Sequence, residues 1–213
     1  MPVVDLTFRL RGNLLPADHA YHLFSAVSKV IPEIHGDEEV GLHAVSGRLA
    51  GDRKLVLTEN STLTFRIDAG RIGQLLPLAG KPLQVENHKL RVGVPTTYLL
   101  IPSARLYSRL VVIKGFMEPE PFLEAAQRQL DEMDIRGKPL LVAQPQSNQA
   151  GEHQGEGSRS PYLRRTLRIR DKEIVGFALR VEELTAEESI RLQEKGVGGR
   201  RRFGCGLFIA DRR

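Results

Sequence analysis

The chain has 213 residues, of which 41% are hydrophobic and 27% charged, and its formal net charge is +5. Such a chain can bury a core in one large or two small domains, which argues against global disorder, and no apolar run approaches the ~18 residues that cross a membrane. The single cysteine, Cys205, excludes internal disulfides and Cys-rich zinc sites. We expect a soluble, cytoplasmic protein, because the alternating N-terminal sequence MPVVDLTFRLRG resembles neither a signal peptide nor a membrane anchor.

The first hundred residues contain a succession of predicted strands and helices. Apolar residues alternate over 4–10, as in a half-buried strand, and recur at helical spacing over 20–31 until Pro32. The later elements are a strand at 40–49, strands within 54–67 around a turn at Asn60–Ser61, a short helix at 68–80, and a hairpin at 82–93 that turns near Asn87. This succession has the β-α-β-β-α-β order of a ferredoxin-like domain.

The remaining residues repeat that order without a readable sequence repeat. The predicted elements are a strand at 104–116, a helix at 118–135, a strand at 138–144, a mobile polar loop at 144–161, a strand pair at 163–184 that turns at Asp171–Lys172, a helix at 185–196, and a strand at 207–210. Thr185 and Glu188 form a capping box for the last helix. The sequence therefore predicts an α+β fold of two tandem ferredoxin-like domains, at 1–102 and 103–213.

Positive charge is concentrated in the last quarter of the chain. Residues 159–213 contain 14 Lys and Arg against 8 Asp and Glu, a net charge of +6, whereas residues 1–158 carry a net charge of −1. Local positive charge of this kind favours a polyanionic partner. The alternative is a merely solubilising surface.

The stretch GVGGRRRFGCGLF, at 196–208, contains five glycines around three arginines. The glycines follow a helix and no Gly-Lys-Ser/Thr is present, so this is neither a P-loop nor a dinucleotide fingerprint. Successive N–H groups in such a loop can bind anions, and arginines suit nucleic-acid phosphates. A helix cap and a tight turn would account for Gly196 and one further glycine. We therefore predict a phosphate-binding loop composed of Gly196, Gly198, Gly199, Arg200, Arg201, Arg202, Gly204 and Gly206.

A second basic feature is the predicted strand RRTLRIR, at 164–170. Alternation places Arg164, Arg168 and Arg170 on one face of this strand, together with Thr166. The stripe is suited to RNA phosphates. Its alternative is an exposed sheet face that is balanced by acidic neighbours.

The spacing of the glycines carries a resemblance. Gly196-Val197-Gly198, five residues and then Gly204-Cys205-Gly206 follow the pattern Gly-hydrophobic-Gly-x5-Gly-hydrophobic-Gly. Late in a double ferredoxin-like chain, this pattern resembles the CRISPR repeat-processing endoribonucleases of the repeat-associated mysterious protein (RAMP) superfamily. The resemblance implies cleavage of precursor CRISPR RNA within its repeats, without metal or cofactor, by attack of a 2′-OH that leaves a 2′,3′-cyclic phosphate. It also implies CRISPR repeat RNA as the partner, with other subunits of an interference complex as further partners.

The same resemblance suggests catalytic residues. His35 follows the first helix, which is the usual position of the family's catalytic histidine, and His43 is a second candidate that would assist on the following strand. Tyr21 resembles the tyrosine that accompanies the histidine in part of the family. The lysine seen in some members has no clear match, so Arg48, Lys54 or an arginine from 200–202 remains open for charge stabilisation. Which histidine is the general base also remains open.

Several other residues are given structural interpretations. His19 and His22 are predicted to be solvated on the polar face of the first helix, and His88 and His153 are poor candidates in a hairpin and a loop. The acidic run at 37–39 is predicted to be a solvated loop and not a metal site, and Cys205 a small buried residue.

Two other functions compete with the nuclease. Some proteins of the same superfamily share the fold and the glycine loop but only coat guide RNA. An unrelated ferredoxin-like RNA-binding protein is disfavoured, since Trp is absent and no strand carries paired aromatics. A histidine at position 35 favours the nuclease.

Overall fold

The computed structural model describes residues 1–144 and 161–211. The strands of the first half are β1 (Val3–Arg11), β2 (Leu14–Pro16), β3 (Gly41–Leu42), β4 (Arg48–Ala50), β5 (Lys54–Val56), β6 (Thr62–Asp68), β7 (Pro82–Val85) and β8 (His88–Leu99). Its helical segments are α1 (Ala20–Val30), η1 (Pro32–Ile34), η2 (Ala69–Arg71), α2 (Ile72–Leu75) and η3 (Leu76–Leu78). Strands β3-β6-β1-β8-β7 form one antiparallel sheet in that order.

The second half repeats this arrangement. Its elements are β9 (Leu106–Val111), α3 (Pro119–Asp131), β10 (Lys138–Leu141), β11 (Arg164–Ile169), β12 (Lys172–Glu182), α4 (Ala186–Lys195), η4 (Arg201–Phe203) and β13 (Ile209–Ala210). The sheet order is β10-β12-β9-β13, and β11 pairs with the first part of β12. In both halves the second, third, first and fourth strands of the ferredoxin-like order lie side by side, and the predicted tandem fold is confirmed.

Alternation on β1 builds the first core. Leu6 and Phe8 are almost completely buried, and they belong to the same apolar cluster as Leu23 and Val27 of α1. The helix buries one face and ends before Pro32, which cannot continue the hydrogen-bond ladder of the helix. The predicted strand and helix at the start of the chain are confirmed.

Three predictions for the first half are wrong in detail. The strand predicted at 40–49 ends at Leu42, because the Val45 N–H turns away to His19 Nε2, 3.1 Å away. The strands predicted around Asn60–Ser61 do not pair with each other, since β5 pairs with β2 and β4 in a separate small sheet. The helix predicted at 68–80 is three successive short turns, which is consistent with its two internal glycines and Pro77.

The second half follows the sequence pattern closely. The hairpin of β11 and β12 and the capped helix α4 occur where they were predicted, with Thr185 accepting from Glu188 N and Glu188 accepting from Thr185 N. The loop predicted at 144–161 lies outside the described residues except for its two end residues. The division at residue 102 stays a prediction.

The two halves of the molecule contact each other through residues near the end of the chain. Phe203 and Cys205, from the glycine-rich stretch, are buried in the apolar cluster of the first half, next to Phe24. In the other direction, Arg66 of β6 donates from Nη1 to the carbonyl oxygens of Gln193 (3.1 Å) and Phe208 (2.6 Å). The glycine-rich stretch is thereby fixed against α1.

Candidate functional site

The glycine loop, residues 196–206, is folded tightly on itself. Gly196, Gly198, Gly204 and Gly206 all have positive φ, between +66° and +80°. A Cβ on Gly196 would lie 2.2 Å from Gly206 O, and one on Gly206 would lie 2.2 Å from Val197 O. The sequence argument that a structural role explains two glycines at most is therefore wrong. Backbone conformation requires four of the five, and Gly199 alone has open space around it.

The loop amides are already engaged within the protein. Gly198 N donates to Gln129 Oε1 at 2.7 Å, Gly199 N to Val112 O at 3.0 Å, and Gly206 N to Leu110 O at 2.8 Å. Gly196 N and Gly204 N likewise donate to backbone carbonyls. The predicted cradle of free glycine N–H groups is thus not formed. What the loop offers to an anion is its arginine side chains.

The three arginines of the loop have different surroundings. Arg200 is exposed and adopts a left-handed conformation with φ +68°. Arg201 donates to the carbonyls of Lys195 and Glu194, so it closes the C-terminal end of α4. Burial is the first cause that lowers the pKa of Arg201, to about 10, and the charge of Arg66 is the second. Arg202 turns towards α1.

Arg202 lies in a cluster of rings that joins α1 to η1 and η4. Its guanidinium lies 5.8 Å from the ring centre of Phe24 and 5.3 Å from that of Phe203. Arg202 Nη1 also donates to the backbone oxygen of His35 at 3.2 Å. The His35 ring is exposed and stacks on Phe24, with ring centres 6.5 Å apart. The glycine loop therefore places the Arg202 guanidinium next to His35, the candidate catalytic histidine.

Tyr21 completes this cluster from the neighbouring turn of α1. Its ring centre is 6.1 Å from that of Phe203, and its hydroxyl accepts from Arg170 Nε at 3.3 Å. Arg170 lies in the turn after β11, with φ +53°, and not on the strand face where alternation placed it. Tyr21, His35 and Arg202 are brought to one surface, hereafter the ring cluster, together with Phe24 and Phe203.

His43 lies in a different environment. It follows β3, its Nε2 is 3.5 Å from Asp5 Oδ1, and this nitrogen is buried without a hydrogen-bond partner in the part of the chain that is described. Burial lowers the pKa of His43, and the Asp5 carboxylate opposes that shift in part. Asp5 is itself held by Arg66 through two contacts of 2.9 and 2.8 Å, and no contact links His43 to His35.

The ring cluster borders a groove of about 600 Å³, which we call the loop groove. Its walls come from the glycine loop (198–202), the segment after β9 (112–115) and the start of β12 (173–175). Lys114, Arg200, Arg201 and Arg202 line it against two carboxylates, Glu38 and Glu173. The surplus of cations makes the groove suitable for a phosphate chain.

Some predicted residues are placed away from this site. Arg48 and Lys54 are exposed on the small three-stranded sheet, and Lys54 faces Asp52 at 3.7 Å. On β11, Arg164 and Arg168 are exposed as predicted, and Arg164 Nη2 contacts Met117 O at 3.4 Å. Lys114 was not found from the sequence, because a single lysine after a strand carries no pattern.

His19, His22, Asp37 and Cys205, none of which was predicted to be catalytic, are placed as follows. His19 is buried, contrary to the prediction, with Nδ1 donating to Pro16 O and Nε2 accepting from Val45 N, whereas His22 is exposed and faces Glu86. Asp37 is paired with Arg71, and no group of three or more His, Cys, Asp or Glu is arranged for a metal ion within 1–144 and 161–211. Cys205 is fully buried, and burial raises the pKa of its thiol to about 12.

None of the helices among the described residues is long and apolar enough to cross a membrane.

Two ferredoxin-like sheets, with a glycine loop of the second half seated on the first helix, define a tandem ferredoxin-like protein. Residues 4–213 match the family model described as Cas6 Crispr. The chain therefore belongs to the Cas6 family. A relative from Myxococcus xanthus strain DK1622, named CRISPR-associated endonuclease Cas6, is 36% identical over 209 residues, which cover 98% of this chain and 82% of the relative.

Solved structures of low sequence identity share the fold. The structure of a Cas6-related gene product from Pyrococcus furiosus has a TM-score of 0.67 at 12% identity and covers 99% of each chain. A RAMP protein described as binding different RNA substrates has a TM-score of 0.68 at 12% identity, covering 96% of this chain and 98% of its own. These similarities extend over both halves of the molecule.

Proposed function

We propose that this protein is a metal-independent endoribonuclease that cleaves precursor CRISPR RNA within its repeats. Membership of the Cas6 family and the named endonuclease from Myxococcus xanthus support a repeat-processing role. The observation that carries the proposal is the ring cluster, because it gathers an exposed histidine, a tyrosine and an arginine beside a cationic groove. These are the groups that RNA transesterification requires.

In the proposed reaction the 2′-oxygen of one nucleotide attacks the adjacent phosphorus. The bond from phosphorus to the 5′-oxygen of the next nucleotide breaks, which leaves a 2′,3′-cyclic phosphate and a 5′-OH. One group must accept the 2′-OH proton and another must protonate the leaving oxygen. We assign these transfers to His35 and Tyr21, since histidine titrates near neutrality and the tyrosine hydroxyl is held by Arg170.

Arg202 is assigned to the charge that develops on the phosphorane. Its guanidinium is oriented by two rings and by the His35 carbonyl, so little reorganisation is needed when that charge appears. Arg48 and Lys54 are not assigned this role because they lie on the separate small sheet.

The RNA strand is proposed to follow the loop groove. Lys114 and Arg200 would contact its phosphates, and Arg164 and Arg168 on the exposed face of β11 would contact a flanking segment. Arg201 and the glycines would contribute by holding the loop in shape, since both terminal nitrogens of the Arg201 guanidinium and the glycine N–H groups donate within the protein. Stem-loop shape and a few bases would provide recognition.

His43 is proposed to support the fold next to the reaction and not to transfer protons. Burial lowers its pKa, and its free nitrogen is directed at Asp5, which Arg66 already holds. His43→Asn should therefore keep most of the cleavage rate. The competing function is an RNA-coating subunit that does not cut, and the exposed His35 in the ring cluster favours the nuclease over it.

The test uses the end-labelled cognate repeat RNA in excess EDTA, with a parallel substrate that carries a 2′-deoxy sugar before the cut. We expect cleavage of the first and survival of the second. His35→Ala should abolish cleavage while RNA binding persists, and His88→Ala is the matched control, because His88 begins β8 and is not part of the ring cluster. Tight binding without cleavage by the wild-type protein would support the RNA-coating subunit instead.

A further inference from the structure

A second basic cleft lies beside the ring cluster and has no assigned role. It has a volume of about 280 Å³ and is lined by the start of α1, by β9 and by β11. Four arginines contribute to its wall: Arg53, Arg109, Arg164 and Arg165. We call it the arginine cleft. Phe203 lines the arginine cleft and also contacts Tyr21, so the two sites are neighbours.

The arginine cleft has little negative charge of its own. Asp18 is the one carboxylate among its lining residues, and Asp18 Oδ2 already accepts from Arg168 N at 3.0 Å. His19 adds no charge, because both of its ring nitrogens are committed as in a neutral imidazole, to Pro16 O and Val45 N. Four arginines and a single carboxylate therefore line the described part of the cleft.

The side chains of Arg109 and Arg165 lie close to each other in the arginine cleft. Within the described residues neither side chain makes a hydrogen bond or an ion pair, and Arg165 Nε is closed to solvent without any partner. Burial of part of the Arg109 side chain lowers the pKa of its guanidinium and the charge of Arg165 lowers it further, while Asp18 opposes the shift and the residue as a whole is exposed. Two neighbouring guanidinium charges, and a buried Nε–H of Arg165 without an acceptor, are unfavourable unless an anion binds to them.

We propose that Arg109 and Arg165 together bind one phosphodiester group of the RNA strand that passes the ring cluster. Guanidinium groups suit this ligand because their planar donors match two phosphate oxygens at once. A phosphate oxygen would supply the partner that Arg165 Nε lacks. This inference rests on the proposed function only in taking RNA as the ligand, since the site itself performs no chemistry.

The experiment measures RNA binding in a His35→Ala background, where cleavage cannot confuse the result. Repeat RNAs are prepared with one uncharged methylphosphonate at a time and are bound to the full chain and to Arg109→Gln/Arg165→Gln. The matched control is Arg91→Gln/Arg136→Gln, which removes two exposed arginines remote from both sites. We expect the cleft variant to lose about 10- to 100-fold in affinity, and the log–log slope of affinity against salt to fall by about 0.7.

One methylphosphonate position should weaken binding to the control protein and leave the cleft variant unaffected. Loss of affinity spread evenly over all positions, or a cleft variant that binds like the control, would overturn the proposal. Free inorganic phosphate is the second ligand tested. Saturation of the cleft by millimolar phosphate without competition against RNA would also overturn the proposal, since it would identify a small-anion site.

A thermal melt separates binding from a structural role. Because the two guanidinium groups repel each other in the free protein, the cleft variant should melt at or above the temperature of the starting protein. A clear fall in melting temperature would mark these arginines as structural and refute the assignment. All of these measurements keep their meaning if the protein proves not to be a nuclease, because none depends on cleavage.

Discussion

Replacing Arg66 with methionine should reveal how strongly one side chain holds the two halves together. The Arg66 side chain is 1% exposed and makes four hydrogen bonds: two to the Asp5 carboxylate, and one each to the carbonyls of Gln193 and Phe208. Methionine keeps much of the volume but none of the donors. The variant therefore leaves a carboxylate and two backbone oxygens without their partner.

The expected cost is about 3–5 kcal/mol in the free energy of unfolding. Breaking a buried ion pair from one side costs this much, because the remaining charge stays buried without compensation. The Asp5 carboxylate remains partly stabilised in this variant, since its side chain is one-fifth exposed and His43 lies 3.5 Å away. For a chain of this size the melting temperature should fall by about 6–20 °C.

Urea denaturation and calorimetry would measure this loss. Arg71→Met is the matched control, because Arg71 also faces two carboxylates, those of Asp37 and Glu39, but its side chain is 26% exposed, and the substitution should cost clearly less than Arg66→Met. In Arg66→Met/Asp5→Leu about half of the loss should be recovered, since the stranded anion is removed while the two carbonyls stay unpaired. A loss for Arg66→Met as small as that for Arg71→Met would refute the reasoning.

Three further measurements test the site and its support. Gly206→Ala should lower the free energy of unfolding, measured in urea, by more than about 2 kcal/mol, because φ is +66° and the added Cβ would lie 2.2 Å from a carbonyl oxygen. Gly199→Ala should change it by less than about 0.5 kcal/mol. Equal effects of the two substitutions would contradict the packing argument. Burial lowers the pKa of His19, so the unfolded chain gains this proton below about pH 6.5 while the folded chain does not, and the free energy of unfolding should fall as pH drops from 7 to 5. His19→Gln should reduce that fall in urea titrations. An unchanged dependence on pH would count against the prediction. Arg202→Gln should slow single-turnover cleavage by about 100-fold or more with nearly unchanged RNA binding, and a parallel loss of binding would show that Arg202 acts in the ground state.

Local pattern predicted most of the fold. Alternation on β1, helical spacing on α1 and the capping box of α4 each specify an element without reference to the rest of the chain. Two of the three failures in the first half occur where a distant partner decides the local structure, whereas the helix predicted at 68–80 is interrupted by its own glycines and proline. The strand predicted at 40–49 breaks because His19, on another element, receives the Val45 N–H.

The candidate site was only partly accessible to sequence reasoning. The spacing of the glycines predicted the loop and the resemblance suggested His35 and Tyr21. The partners of several loop amides lie in β9, the residues after it and α3, which no local motif encodes. The unpartnered state of Arg165 is likewise a property of packing, since the sequence shows a regular basic stripe and gives no sign of which arginines are neutralised.

The seating of Phe203 and Cys205 in the first core has a consequence for biosynthesis. The core of the first half is completed only after residues 203–208 have been synthesised, and the Arg66–Phe208 contact alone spans 142 positions. At ordinary translation speeds that interval lasts roughly 7–30 s. Throughout it, the apolar surface around Phe24 stays exposed to solvent on the nascent chain, because the glycine loop that covers it has not yet been made.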